Sequence, residues 1–206
     1  MKQSLIVVMM FVMGCVAGYF YQPDFDLHDV SLYILYILML QVGLSVGCSD
    51  NLKSMIRFCR PKMLLVPLVT IIGTLLLSAC ISFVLSRWSA FDCMAVGAGL
   101  GYYSLSSILI TQLKLDTLGE QLAAELGTIA LLANVFREIF SLVLAPLFCK
   151  YFGPLAPISA AGVTSVDVSL PVISRVSGKE MIPVSLFHGM LLDMTVPILL
   201  PFLCEW

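Results

Sequence analysis

Residues 131–146 read LLANVFREIFSLVLAP and are apolar except for four polar side chains near the middle. A charged residue at the centre of a membrane helix costs about 2.5–3.5 kcal/mol, so such residues face the bundle interior and usually serve a purpose. Asn134, Glu138 and Ser141 recur at i, i+4 and i+7 and share one helical face, with Arg137 at its edge. The stretch therefore predicts a membrane helix whose polar stripe (Asn134, Glu138 and Ser141) borders a cavity.

The composition of the whole chain agrees with a membrane protein. Its 206 residues are 60% hydrophobic and 12% charged, whereas soluble domains are about half apolar and a quarter charged. Several apolar runs exceed the roughly 18 residues that mark a spanning helix. We predict an all-α polytopic membrane protein with about seven membrane-crossing segments. They are expected at 4–21, 30–47, 63–86, 93–113, 122–149, 155–174 and 181–204.

Charge and cysteine patterns exclude several classes of partner. The formal net charge is −2 and no basic stripe is present, so no nucleic-acid partner is predicted. The seven cysteines have neither CxxC nor metal-ligand spacing. They are expected to be small core residues rather than disulfides or metal ligands, and no cofactor is expected.

Positive charge orients the predicted segments, because cytoplasmic loops are enriched in Lys and Arg. With seven crossings, eight basic residues fall on one side: Lys2, Lys53, Arg57, Arg60, Lys62, Lys114, Arg175 and Lys179. Only Arg87 and Lys150 fall on the other. We expect a cytoplasmic N-terminus and a periplasmic C-terminus, and the first apolar run is interpreted as a helix rather than a cleaved signal peptide. Residues 1–92 are predicted to form a three-helix unit and 93–206 a transport core.

Two of the predicted segments are rich in glycine and serine: VGAGLGYYSLSSILI (96–110) and PISAAGVTSVDVSLPVI (157–173). They share a spacing, since Gly101-x-x-Ser104-x-Ser106 matches Gly162-x-x-Ser165-x-Asp167. Such segments are typical of discontinuous helices that meet at a transporter site, where unwound backbone lines a cavity. The alternative is a close helix interface, in which small residues let two backbones approach.

The polar residues of the stripe and of the two interrupted segments form the predicted site. The predicted substrate- or ion-binding residues are Glu138, Asp167, Asn134, Ser104, Ser106, Tyr103, Thr164 and Ser165. Supporting roles are predicted for Arg137, Ser141, His188 and Asp193. Arg137 has a structural alternative, an ion pair that docks its helix on a neighbour. His188 is either a proton relay or a side chain bonded to a backbone carbonyl.

Five motifs resemble the LysO-type bacterial lysine exporters: GYYSLSS (101–107), FREIF (136–140), GVTSVDVSLPVI (162–173), SGKE (177–180) and FHG (187–189). The likeness is dense over 95–206 and looser over 1–94. It implies export of L-lysine, and of analogues such as thialysine, across the bacterial inner membrane by proton antiport. The essential membrane glutamate of that family falls on Glu138. The resemblance also implies an architecture similar to NhaA, with inverted repeats and about ten helices.

This chain departs from the family at its N-terminus. Fused members have about ninety additional residues there, with a further acidic residue, and the family also occurs as a small and a large protein that complete one inverted-repeat transporter. The chain resembles the large one. The resemblance therefore implies a small membrane partner of about ninety residues with about three spans. Assembly into a homo-oligomer is left open.

Three other functions stay open from the sequence. A transporter of the same architecture for an organic anion would use Arg137 as its substrate anchor. An intramembrane serine hydrolase would pair Ser104 or Ser106 with His188. A purely structural membrane subunit would have no need for Glu138.

Overall fold

The computed structural model describes residues 2–20 and 61–205, together with the single positions 33, 37, 40 and 44. Within this part the chain is helical and contains no strand. The helices are α1 (Lys2–Phe20), α2 (Pro61–Ile81), α3 (Ala90–Gly97), α4 (Tyr103–Leu113), α5 (Leu115–Leu118), α6 (Glu120–Phe152), α7 (Ala156–Ala161), α8 (Leu170–Val176) and α9 (Ile182–Cys204). Short 3-10 turns lie at Gly162–Val166 and Lys179–Met181.

Three of these helices are long and apolar enough to cross a membrane: the stretches Met63–Ile81, Glu120–Phe152 and Lys179–Cys204. They correspond to α2, α6 and α9 and agree with three of the predicted segments. The predicted segment at 4–21 coincides with α1. Most of the predicted segment at 30–47 lies outside the described residues.

The predicted segment at 93–113 does not cross the membrane but folds back on itself. Lys114 Nζ lies 2.9 Å from Asp92 Oδ1, and both side chains are almost fully buried. A continuous helix would place residues 22 apart in sequence about 33 Å from each other, at 1.5 Å per residue. The chain must therefore reverse between them, at the break after α3. We call residues 90–113 the first hairpin.

The predicted segment at 155–174 also reverses. Cys149 lies near the end of α6, just before α7 begins, and its Sγ donates to the Val176 carbonyl at the end of α8 over 3.3 Å. Ile158 of α7 and Ile173 of α8 share one buried cluster. Because α8 ends where α7 began, residues 156–176 form a second hairpin that enters from the opposite side.

These two hairpins correct the prediction of seven crossings. A break rich in glycine and serine indicates where a helix stops but not the direction in which the chain leaves. The half-helices contain at most 11 residues, too few to span a hydrocarbon core of about 30 Å. The reversal also moves two charges: Lys114 lies on the same side as Arg87, and Lys150 on the same side as Arg175 and Lys179.

The tips of the hairpins touch near the middle of the bundle. The Val163 N–H donates to the Leu100 carbonyl over 2.9 Å. Gly101 and Gly162 adopt φ values of 99° and 67°, in the region that favours glycine. A Cβ on Gly162 would collide with the Leu100 carbonyl oxygen, so the close approach itself requires glycine there. The matched spacing in the sequence thus marks two tips that pack against each other.

α2 packs directly against the rest of the bundle. A Cβ on Gly97 of α3 would overlap the side chain of Ser78 on α2, and partly buried Ile71 and Leu75 pack on a core that includes Leu192 and Val196 of α9. α2 thus helps to position the hairpins and α9. The predicted domain boundary at residue 92 stays a prediction.

We expect the side from which each hairpin enters to be measurable by thiol labelling. In a cysteine-free background, single cysteines at Ser86 and Thr117 should react with an impermeant maleimide from the same side. Cysteines at Leu155 and Lys179 should react from the other side. If the cysteines at positions 86 and 117 react from opposite sides, the first hairpin crosses the membrane and the prediction of seven crossings is correct.

The buried ion pair should stabilise the first hairpin. Asp92→Asn leaves the Lys114 ammonium buried without its counter-charge, which should lower the free energy of unfolding by about 3–5 kcal/mol. Arg87→Gln is a matched control, because it removes the exposed Arg87–Glu125 pair at 2.7 Å and should cost about 0–1 kcal/mol. Thermal unfolding in detergent measures both. Equal effects would show that the buried pair does not hold the hairpin.

Candidate functional site

Asn134 holds the break of the first hairpin. Its Oδ1 accepts the Gly101 N–H over 2.7 Å, and its Nδ2 donates to the Val96 carbonyl over 3.3 Å. Nδ2 also lies 3.4 Å from Ser106 Oγ, which itself donates to the Tyr103 carbonyl. Buried backbone groups that leave a helix need new partners. A predicted binding residue, Asn134 is therefore occupied in stabilising the unwound backbone of the first hairpin.

Arg137 holds the second hairpin from the next turn of α6. Its Nε donates to the Ala160 carbonyl over 3.0 Å, and its Nη2 donates to the Ser159 carbonyl over 3.1 Å. These carbonyls belong to the last turn of α7, where a cation is favoured by the helix dipole. The predicted alternative of a docking role is supported in part: Arg137 does dock its helix on a neighbour, but through backbone carbonyls.

Glu138 lies on the same face of α6 as Asn134 and is 2% exposed. It is close enough to Tyr103, the first residue of α4, for an electrostatic interaction. Ser141 is buried one turn further on, and its hydroxyl donates to the Glu138 carbonyl over 2.8 Å. The predicted polar stripe is thus a buried face of α6 that carries a carboxylate past the hairpin tips, with Ser141 bonded to its own helix.

Two further carboxylates lie near the same tips. Asp167 follows the break of the second hairpin and is exposed, whereas Asp193 on α9 is half-buried. The two interact electrostatically with each other and with Tyr102, and Asp167 also acts on Tyr103. Glu138, Asp167 and Asp193 therefore surround the two tyrosines with acidic groups, an arrangement that suits a cationic solute.

The predicted hydroxyl residues divide into structural and accessible ones. Thr164 donates to the Ala161 carbonyl over 3.0 Å and lies 3.0 Å from Ser169 Oγ, so it stabilises the second break. Ser106 and Ser165 are fully buried. Ser104 is half-buried on the first turn of α4, next to Tyr103. Among these serines, Ser104 has the most accessible side chain.

His188 is completely buried where α9, α2 and the second hairpin meet. Its Nδ1 lies 3.1 Å from Ser165 Oγ, and its Nε2 lies 3.1 Å from Thr70 Oγ1. Gly189 permits this approach, because a Cβ there would come within 2.7 Å of the Val166 amide nitrogen. The predicted dyad of His188 with Ser104 or Ser106 is not formed, since both ring nitrogens contact other hydroxyls.

Two cavities reach Arg137 from different directions. One of 270 Å³ lies between α2, α3 and α6, is largely apolar, and extends to Asn134 and Arg137. The other, of 350 Å³, is an open cleft between α2 and the second hairpin, lined by Thr70, Thr74, Arg137 and Ser159. Space is therefore available on both sides of the turn of α6 that holds the hairpins.

The hydroxyl residues of α2 were not among the predicted site residues. Thr70, Thr74 and Ser78 recur at i, i+4 and i+8 in an otherwise apolar run, and this spacing indicates one helical face. All three line a cavity. Ser185, which is also buried, donates to the Ser165 carbonyl over 2.7 Å. Its position three residues before His188 was a signal that could have identified it.

Residues 8–204 match the profile of the family described as lysine exporter LysO. Over 174 residues, 84% of this chain, it is 29% identical to the lysine exporter LysO of Escherichia coli K12, and it spans 54% of that protein's length. It is 30% identical over 175 residues to a Haemophilus influenzae protein provisionally named a lysine exporter, and it covers 83% of that protein. No solved structure matches the chain. Since the family profile extends over nearly the whole sequence, the chain belongs to the LysO lysine exporter family.

Proposed function

We propose that this chain exports L-lysine, and lysine analogues such as thialysine, across the bacterial inner membrane in exchange for protons. The observation that carries the proposal is the meeting of two oppositely entering hairpins beside the buried carboxylate of Glu138. Unwound backbone at that depth is tolerated where it is buried in protein or lines a cavity. Membership of the lysine exporter family supplies the solute class.

The charges near the hairpin tips suit lysine, which has two ammonium groups and one carboxylate. Glu138, Asp167 and Asp193 provide acceptors for the ammonium groups. The α4 N-terminus at Tyr103 and Ser104 provides backbone N–H groups and a positive helix end for the carboxylate. Tyr102 and Tyr103 add aromatic faces that attract cations. Ser106, Thr164 and Ser165 act indirectly, by holding the two breaks in place.

Coupling to protons follows from competition for one carboxylate. A carboxyl group in a low-dielectric site can bind either a proton or the ammonium of a substrate, but not both at once. We place this competition at Glu138, so lysine leaves as a proton enters. Alternating access would arise from movement of the hairpin tips relative to α2, α6 and α9, with no covalent chemistry.

The wider assembly is also proposed. Lys150, Arg175 and Lys179 share one end of the bundle, which we assign to the cytoplasm by the enrichment of Lys and Arg in cytoplasmic loops. α9 then ends in the periplasm, and the N-terminus is cytoplasmic if both N-terminal segments cross. From the resemblance to the large protein of the split family members, we propose a small membrane partner that completes an inverted-repeat transporter similar to NhaA.

An organic-anion transporter is the competing reading, with Arg137 as the anchor. The two backbone carbonyls of α7 that the Arg137 guanidinium contacts favour a structural role for this side chain. Three carboxylates around the tips also disfavour an anionic solute, because like charges repel. Lysine is therefore the better-supported substrate.

Substitution of Glu138 tests the proposed exchange. Glu138→Gln keeps the side-chain shape but can neither bind a proton nor neutralise an ammonium. We expect lysine efflux from proteoliposomes under an inward proton gradient to fall about tenfold or more, equivalent to about 1.4 kcal/mol or more. Glu125→Gln, which removes a partly exposed carboxylate of the same helix that pairs with Arg87, should retain the wild-type rate.

A normal rate in Glu138→Gln would remove Glu138 from the mechanism. The same assay also tests the partner. Export by the purified chain alone would show that no second membrane protein is needed.

Substitution of Arg137 separates the two solute classes. Arg137→Lys keeps the charge but loses the paired N–H geometry, so the free energy of unfolding should fall by about 1.5–3 kcal/mol. The preference for lysine over a dicarboxylate, measured by competition for binding, should not change. Arg175→Lys on the exposed face of α8 is the control. Dicarboxylate binding that is present in the wild type and lost in Arg137→Lys would support the anion transporter instead.

A further inference from the structure

The hydrogen bonds around His188 require more protons than a neutral ring supplies. Ser165 Oγ contacts both the Ser185 carbonyl and His188 Nδ1, each over 3.1 Å. Thr70 Oγ1 contacts the Val66 carbonyl over 2.8 Å and His188 Nε2 over 3.1 Å. Since a carbonyl can only accept, each of these hydroxyls uses its one proton when it donates to its carbonyl.

The ring must then donate to both hydroxyl oxygens. A neutral imidazole carries one N–H and an imidazolium carries two. The four contacts of Ser165 and Thr70 are therefore satisfied together only when His188 is protonated. With a neutral ring, three protons serve four contacts, so one of the four hydrogen bonds is lost.

We propose that His188 is a proton-binding site whose charged form ties the second hairpin to α2. Thr70 belongs to α2 and Ser165 to the break of the hairpin, so the ring bridges a long helix and the tip that touches Leu100. Thr70 also lines the open cleft of 350 Å³, which provides a route for protons to the ring. Loss of the proton weakens the bridge and releases the hairpin tip.

The charged groups around His188 oppose and assist this protonation in different ways. Arg137 on α6 acts on the ring as a like charge, and the Gly162 carbonyl faces the ring as an acceptor. α2 has no ionisable residue between Met63 and Ala79. The acidic residues on the packed elements are Asp167 on the second hairpin, Asp193 on α9 and Glu138 on α6.

The protonation of His188 can be read directly, independently of transport. The chain has two histidines, so the His28→Gln protein labelled with ¹⁵N-histidine and placed in lipid nanodiscs reports one ring by NMR. We expect the ring to change from neutral to charged as the pH falls from about 8 to about 3, towards the acidic end because burial and Arg137 oppose the charged form. Thr70→Val removes the hydroxyl oxygen that accepts the second N–H of the charged ring. At fixed pH the ratio of charged to neutral ring should therefore fall about tenfold, which corresponds to the loss of a hydrogen bond of about 1.4 kcal/mol.

Thr195→Val is the matched control, because Thr195 also donates to the carbonyl four residues earlier, over 2.7 Å, but does not contact the ring. It should leave the ratio unchanged. Ser165→Ala provides a second test if Thr70→Val does not fold. A ring that stays neutral throughout this range, or equal ratios in Thr70→Val and Thr195→Val, would overturn the proposal.

The role of the His188 site in export rests on the proposed function. The proton site and lysine export can nevertheless be refuted independently of each other. Thr70→Val should shift the pH dependence of lysine efflux, whereas Thr195→Val should not. A titrating ring in a chain that exports no lysine would support the proton site and refute the proposed substrate. Normal lysine export with an uncharged ring would refute the proton site alone.

Discussion

The structure depends on one constraint, namely that two stretches of unwound backbone must be satisfied inside a membrane bundle without water. Each unpaired backbone group in such a place costs several kcal/mol. The Leu100 carbonyl and the Val163 N–H satisfy each other across the two tips. Asn134 and Arg137, three residues apart on α6, donate or accept further bonds to the backbone of both hairpins. One turn of a single helix therefore holds both hairpins at a common depth.

This constraint explains why Arg137 and Glu138 lie at the centre of the bundle. Arg137 neutralises the carbonyl end of α7 and keeps the second hairpin in place. Glu138 then extends from the adjacent position on the same helix towards Tyr103. Arg137 and Glu138 are adjacent in sequence, but their side chains contact different parts of the structure because neighbouring residues on a helix point about 100° apart. The proposed binding carboxylate is thereby positioned beside backbone that has left the helix.

Hairpins of this kind also suit movement. α3 and α7 have only eight and six residues, and in the proposed alternating access their tips move while α2, α6 and α9 remain in place. The contacts that would have to change are identifiable: the Leu100–Val163 bond, the Asn134 and Arg137 bonds, and the His188 bridge. Together these contacts join the hairpins to each other, to α6, and to α2 and α9. The occupancy of a carboxylate or the protonation of a ring can therefore bias the position of a tip.

The sequence by itself determined the membrane class, the polar stripe on α6, the two interrupted segments and the family, because hydrophobic runs, helical spacing and motifs are local properties. It also placed Glu138, Asp167 and Asp193 among the candidates. Only the tertiary structure decided that the interrupted segments turn back, since this depends on the Asp92–Lys114 pair and on Cys149 meeting Val176. It likewise joined His188 to Thr70, 118 residues away in sequence. No local pattern encodes such a pairing, because it exists only once α2, α9 and the second hairpin pack together.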